Sequence, residues 1–388
     1  MKIRSVTARW AHVPIPAAQQ HRSDLGVANY FDATIVRVET ECGLVGWGEA
    51  KASVGSMGNN AALTALINRD LGPALIGEDP RDPRRLWEIG YSGNRAHFAL
   101  ERGRGFPVLD RRGIRISAIG AIDMACWDIL GRSLDVPVWR LLGGKCRDAM
   151  PAYASGGWAP AEAIGVELEG YVARGGFRAV KMRVGAGDGD LLTSVRRVRA
   201  ARAHLGCDTA IMVDAHGTYS VKEALRFVRL VEECGLAWFE EPVNADDKAG
   251  MGTVRAACDI PVAAGESEFT RFDFRDLLAH QAVDYFQPDL AIAGGITEAM
   301  RIATLAECHG VFLAPHLWGG ALNFAAGLQV MAVSPAAVIA EYSLGANPLL
   351  HDLVEESFEV KDGMIAIPDR PGLGVTIDEA FLEAHTAE

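Results

Sequence analysis

The stretch from Ile211 to Glu266 holds three short apolar runs, each with an acid at its end: IMVD closes on Asp214, AWFEEP carries Glu240, and PVAAGE closes on Glu266. The three acids are evenly spaced, 26 residues apart. That interval accommodates a strand, a turn, an amphipathic helix and a return loop, which is one β/α unit. Three consecutive parallel strands then bring three carboxylates to the same end of a barrel, the face where such barrels carry their chemistry. An acid after a strand also serves as a helix cap. Three in equal register argue instead for a metal site. Oxygen ligands alone suit a hard divalent cation, Mg²⁺ first.

The segment between the first two acids has the features of a surface helix of such a unit. Ser220 and Glu223 form a capping-box pattern. Ala224, Phe227, Val228 and Val231 make one apolar stripe, and Gly235 stops it. Outward in both directions the same alternation recurs from Met150 onward. Strand ends fall near Ser155, Arg183, Asp214, Glu240, Glu266, Asp289, Pro315 and Glu341. Eight such ends predict a closed β/α barrel rather than an open sheet.

The first part of the chain reads differently. Ile3, Val6 and Ala8 alternate as in a strand, and ATIVRVET turns at Gly43 into LVGWGEA. Two polar, glycine- and serine-containing stretches, 17–29 and 53–60, are candidate loops over a site. An Arg-rich segment follows, Asn94 to Arg115, fit for a subunit neighbour, a substrate entrance or plain solvent. SAIGAIDMACWDILG is then a buried helix. The expected fold is therefore α/β: a modified TIM-type (β/α)7β barrel over 131–356, an N-terminal α+β capping domain over 1–130, and a tail, 357–388, packing back on the cap.

Composition narrows the partners. A net charge of −12 over 388 residues argues against nucleic acid or an anionic membrane surface. No apolar run approaches a membrane span, and MKIRSVTARW has no signal-peptide core. The 7 cysteines are odd in number and form no CxxC pair, so they suit a reducing, cytoplasmic setting. Cys126 and Cys234 sit in apolar patterns as small core residues.

Further residues near strand ends extend the site. In AVKMRVG, Lys181 and Arg183 are two apart and share the face directed into the barrel. Two cations beside three acids suit a carboxylate substrate, with Lys181 as its counter-ion. Asp289 and His316 follow successive apolar strands, and a hydrogen bond between them would fix the imidazole tautomer and raise its basicity. Glu341 ends the eighth strand as a hydrogen-bond donor to substrate. Ser155, beside Tyr153 on the first strand, and His21 and Arg22 in the first loop are candidate substrate contacts. Trp318 either lines the pocket or packs at its rim. The chemistry such an array suits is removal of a proton α to a carboxylate, with the cation and Lys181 stabilising the enediolate.

Taken together, KxR at 181–183, VDAHG, WFEEP, the Gly265–Glu266 pair, QPDLAIAGG, PHLWGG and IPDRPGLG resemble the enolase superfamily, mandelate racemase-like subgroup, over almost the whole chain. The stretch from QPDLAIAGG through HLWGGALNFAAGLQVMA is similar to galactarolactone cycloisomerases and acid-sugar dehydratases. The resemblance implies Mg²⁺ on Asp214, Glu240 and Glu266, an Asp289–His316 acid/base dyad, Glu341 as an electrophilic or hydrogen-bonding group, and a homo-oligomer. Two positions depart from the family pattern. Arg183 stands where a second lysine is usual, and a guanidinium is a poor base. His216 replaces the asparagine of D-x-N, for contact with substrate or for support behind the ligands. The reading is an acid-sugar dehydratase forming a 2-keto-3-deoxy acid. A sugar-lactone cycloisomerase comes second, and an epimerase third because of Arg183. A barrel that only binds metal would not need the dyad.

Overall fold

Strand alternation in the second half of the chain decides which side chains reach the barrel interior. In β7 (Ala179–Arg183), Val180 and Met182 face the surrounding helices, while Ala179, Lys181 and Arg183 point inward. β8 (Ala210–Asp214) and β9 (Trp238–Glu240) repeat this: Ile211, Val213 and Phe239 join the outer core, and Met212, Asp214, Trp238 and Glu240 turn in. The inward residues at the lower level, Tyr153, Ala179, Met212, Trp238, Ala263 and Ala314, make an apolar floor. The polar residues lie above it, at the carboxyl ends of the strands.

The computed structural model describes residues 1–23, 26–53 and 57–387, except for the side chains of residues 21–23. The barrel strands continue as β6 (Ala149–Gly156), β10 (Val262–Ala264), β11 (Tyr285–Phe286), β12 (Phe312–Leu313) and β13 (Ala340–Ser343). All neighbours from β6 to β12 pair in parallel, and β13 pairs in parallel with β6. A bridge from Leu313 to Ala337 closes the ring. Each strand but the last is followed by a covering helix. After β13 there is only the short helix Pro348–His351, which gives the expected (β/α)7β form. Three strands are shorter than the sequence suggested. Glu266, Asp289 and His316 stand two or three residues past the last residues of β10, β11 and β12. The backbone has already turned there: Gly265 takes a φ of 140° and Asp289 caps the helix Leu290–Ala293.

The N-terminal unit is a three-stranded antiparallel sheet, β1 (Ile3–Pro14), β4 (Tyr30–Thr40) and β5 (Val45–Ala50), with a small hairpin of β2 (His21–Ser23) and β3 (Gly26–Ala28) between. β5 lies against the helix Ile114–Leu134, which is buried nearly throughout. That approach needs glycine: a Cβ at Gly48 would stand 1.9 Å from the Ala121 carbonyl oxygen. The same helix crosses residue 130 and reaches the barrel through Asp123, whose carboxylate accepts from Thr297 N at 2.8 Å and from its Oγ1. The tail adds β14 (Val360–Lys361) and β15 (Met364–Ala366), the latter antiparallel to β6. It then runs back to the cap, where Leu373 N donates to Asp128 and Ala387 N to the Trp10 carbonyl. Cys126 and Cys234 are buried as read. In the Arg-rich segment, Arg112 pairs with Asp273 on the barrel and Arg115 with Asp70 and Asp110. Among the described residues no helix is long and apolar enough to cross a membrane.

Candidate active site

Asp214, Glu240 and Glu266 converge as the spacing predicted. One oxygen from each lies within 4.8 Å of the others, and all three side chains are buried. The two backbone positions beside them are strained: His216 (φ 44°) and Glu241 (φ 38°) adopt left-handed conformations without being glycine. Such outliers persist where surrounding structure enforces them, as at a built site.

Lys181 is fully buried, with Nζ 2.5 Å from Glu240, 3.0 Å from Glu341 and 3.5 Å from Asp214. Burial works against its charge, but the carboxylates of Glu240 and Glu341 outweigh that and push its pKa above the ordinary lysine value. Arg183 pairs with Asp214 Oδ2, and its guanidinium carbon lies 5.5 Å from the centre of the Trp318 ring. Burial would raise Glu266, yet His316, His216, Lys181 and Arg183 hold it below the usual carboxylate range.

The dyad is present. His316 Nδ1 lies 2.8 Å from Asp289 Oδ2. Asp289 also accepts from Lys51 Nζ at 2.7 Å, Asn323 Nδ2 at 3.1 Å and Ala291 N at 2.9 Å. Despite burial, Lys51 and His316 keep its pKa low, so it is an acceptor and Nδ1 carries the proton. Nε2 then faces the triad, 3.4 Å from Glu266 and 3.9 Å from Glu341. Burial lowers the His316 pKa, but the charges of Glu266 and Glu341 and the bond to Asp289 raise it more.

Glu341, on β13, faces Lys181 and His316. Burial alone would protonate it, but Lys181, His316 and Arg183 depress its pKa strongly, and it accepts from Leu317 N at 2.9 Å. It is a buried anion that keeps Lys181 charged. Ser155 is buried on β6, in register with both Lys181 and Ser343. Tyr153 lies lower, edge-on to Trp238 at 5.2 Å, in the floor of the barrel. Trp318 is buried and meets Trp158 edge-on at 5.8 Å. His216 Nε2 stands 3.6 Å from Asp214 Oδ2. The side chains of His21 and Arg22 lie outside the described residues. Sequence reading missed Lys51, Glu49 and Asn323, which surround the dyad from the cap and from the helix after β12. The signal was faint: LVGWGEAK alternates like a strand, and its last polar residues gave no reason to place them in another domain.

The donor set suits a hard divalent cation. Glu266 Oε2 is buried without a hydrogen bond among the described residues. Charge points the same way. Buried carboxylates (Asp214, Glu240, Glu241, Glu266, Asp289 and Glu341) outnumber the buried cations Lys51, Lys181 and Arg183. A divalent cation would offset part of that excess, and oxygen-only ligands suit the Mg²⁺ type.

A capped β/α barrel with an acid triad, an inward lysine and an Asp–His dyad at its mouth is an enzyme of the enolase type. The comparisons are specific. Residues 4–143 match the mandelate racemase / muconate lactonizing enzyme N-terminal domain, and residues 163–381 match the enolase C-terminal domain-like family. The chain belongs to this family. It is 35% identical to D-galactarolactone cycloisomerase of Agrobacterium fabrum over 90% of this chain and 89% of the relative. It is 33% identical to arabinonate dehydratase of Saccharolobus solfataricus over 93% and 92%. Among solved structures, the 3,6-anhydro-D-galactonate cycloisomerase of Zobellia galactanivorans superposes with a TM-score of 0.85 at 30% identity, covering 100% of both chains. An enolase superfamily member from Polaromonas sp. JS666 gives 0.88 at 34%, covering 100% and 98%.

Proposed function

We propose that this protein dehydrates an acid sugar to a 2-keto-3-deoxy acid in a Mg²⁺-dependent reaction. The observation that carries the proposal is the placement of two imidazoles. His316 follows β12 and His216 follows β8, four strands apart in a ring of eight, and Glu266 lies in the field of both. A group that takes a proton and a group that gives one thus stand on opposite sides of the acid triad.

Asp214, Glu240 and Glu266 would hold Mg²⁺, which when bound would supply positive charge for the substrate carboxylate. His316 Nε2 takes the α-proton, its Nδ1–H fixed by Asp289. The electron pair left on the α-carbon spreads into the carboxylate as an enediolate, whose charge Lys181 balances at the same mouth. That pair then forms the Cα–Cβ double bond as the bond from Cβ to its hydroxyl breaks. His216 gives the departing oxygen a proton, and water leaves. The enol takes a proton at Cβ to become the keto acid. Arg183 stays protonated and clamps the substrate rather than acting as a second base. Ser155, in register with Lys181, and Trp318, beside Arg183, are assigned to substrate contact in this reading.

A sugar-lactone cycloisomerase is the second reading, favoured by the relative of that activity at 35% identity. It shares the α-proton step but expels a ring oxygen, so no water is lost. An epimerase needs a base on each face of the substrate, and Arg183, standing where a second lysine is usual, is a poor base. The test is a panel of aldonic acids, aldaric acids and lactones followed by proton NMR in D₂O with Mg²⁺. A 2-keto-3-deoxy acid formed with loss of water supports the dehydratase. Such an acid formed from a lactone by isomerisation alone selects the cycloisomerase. Exchange of the α-proton with every hydroxyl retained would restore the epimerase.

A further inference from the structure

The dyad at the barrel mouth is held from the other domain. β5 of the cap ends at Ala50, and the next side chain, Lys51, is buried to 2% exposure. Its Nζ donates to Asp289 Oδ2 at 2.7 Å and to the Trp318 carbonyl at 2.8 Å. Two residues earlier on the same face, Glu49 accepts from Gly320 N at 2.6 Å and from Asn323 N at 3.1 Å. Asn323 in turn donates its side-chain amide to Asp289 Oδ1 at 3.1 Å. Both oxygens of Asp289 are therefore fixed by groups tied to one cap strand, Oδ2 directly and Oδ1 through Asn323.

A buried ammonium paired to a buried carboxylate costs desolvation and need not stabilise a fold. This one shares the oxygen that orients the catalytic imidazole. A carboxylate held only by His316 and the Ala291 backbone N–H, which donates to Oδ1 at 2.9 Å, could rotate more freely and let Nε2 swing from the mouth. With Lys51 on the same oxygen and Asn323 on the other, rotation would break two further hydrogen bonds.

We propose that Lys51 is a positioning residue for the reaction, clamping Asp289 so that His316 presents its base only when cap strand β5 is docked on the barrel. The inference rests on the reading of His316 as the base. The ion pair is what matters: arginine at 51 can keep it, methionine cannot.

The test compares Lys51→Met and Lys51→Arg with the wild-type Mg²⁺-loaded enzyme, and His316→Asn serves as the control. The probe independent of substrate is the downfield proton NMR resonance of His316 Nδ1–H, assigned by its loss in His316→Asn. In Lys51→Met it should shift or broaden away while circular dichroism and Mg²⁺ binding stay unchanged. With the acid sugar turned over best in the panel, kcat should fall on the order of tenfold to a hundredfold, as for other residues that orient a site from behind. KM should change little, and Lys51→Arg should recover part of kcat. An unchanged resonance and unchanged kcat in Lys51→Met would overturn the inference. So would a loss of kcat that merely tracks lost folded protein and is no better in Lys51→Arg. If His316→Asn itself keeps near-normal turnover, the base assignment fails instead, which is a different result.

Discussion

Lys181 and Glu240 form a contact of 2.5 Å between two fully buried side chains on β7 and β9. The pair sits directly over the apolar floor, and Glu341 completes it from β13 at 3.0 Å. Removing the cation leaves buried anions facing one another. Lys181→Met should therefore destabilise the metal-free protein by about 3–5 kcal/mol, the usual effect of breaking a buried pair from one side. Turnover should fall at least about a hundredfold, as when one stabiliser of a developing oxyanion is removed. Urea unfolding with EDTA present checks the first figure, and steady-state rates check the second.

The two histidines make separable predictions. His316→Asn should abolish both dehydration and exchange of the α-proton with D₂O, while Mg²⁺ binding persists. His216→Asn should keep α-proton exchange and lose most dehydration, because abstraction no longer has a partner to release the hydroxyl. Proton NMR in D₂O reads both events in one experiment. Equal loss of exchange and dehydration in His216→Asn would mean that His216 holds the site together rather than protonating the leaving group.

The acid triad predicts metal-linked stability. A divalent ion bound only by the folded chain should raise the melting temperature, contributing about 2.7 kcal/mol at a hundredfold excess over its Kd. EDTA should reverse the rise. Glu266→Gln removes one of the three ligands, so its melting temperature should respond far less to Mg²⁺. Differential scanning fluorimetry across a Mg²⁺ titration measures this without any substrate.

Asp123, on the helix Ile114–Leu134, should make stability depend on pH. Burial pushes its pKa up to about 7, although the hydrogen bonds from Thr297 pull the other way. In the unfolded chain the carboxyl releases its proton near the ordinary value of 3.8. Between those two values the folded state holds one more proton than the unfolded state. This contribution is thus present in full below about pH 4 and is lost as pH rises toward about 7. Its size is at most about 4 kcal/mol for a shift of that extent. Asp123→Asn should flatten the dependence in that window, as measured by urea midpoints from pH 4 to 8.

Much of the site was legible because it follows two periodicities. The 26-residue spacing of Asp214, Glu240 and Glu266 reports one β/α unit, and the two-residue spacing of Lys181 and Arg183 reports one face of a strand. Side chains set by these rules converge wherever the barrel closes. Glu341 was placed by the same logic, but its partners were not legible. Whether a carboxyl donates or accepts depends on its neighbours, and only the closed ring brings Lys181 to 3.0 Å from it.

The sequence by itself determined the barrel, its cap, the acid triad and the Asp289–His316 pair, because local hydrophobic patterning and repeat length govern all of them. Tertiary structure decided what surrounds the dyad. Lys51 and Asp289 are 238 residues apart in the chain, and no periodicity connects a cap strand to a barrel loop. Their meeting follows from how the cap docks on the mouth, where Glu49 and Lys51 find the backbone amides and the carboxylate that burial requires them to find.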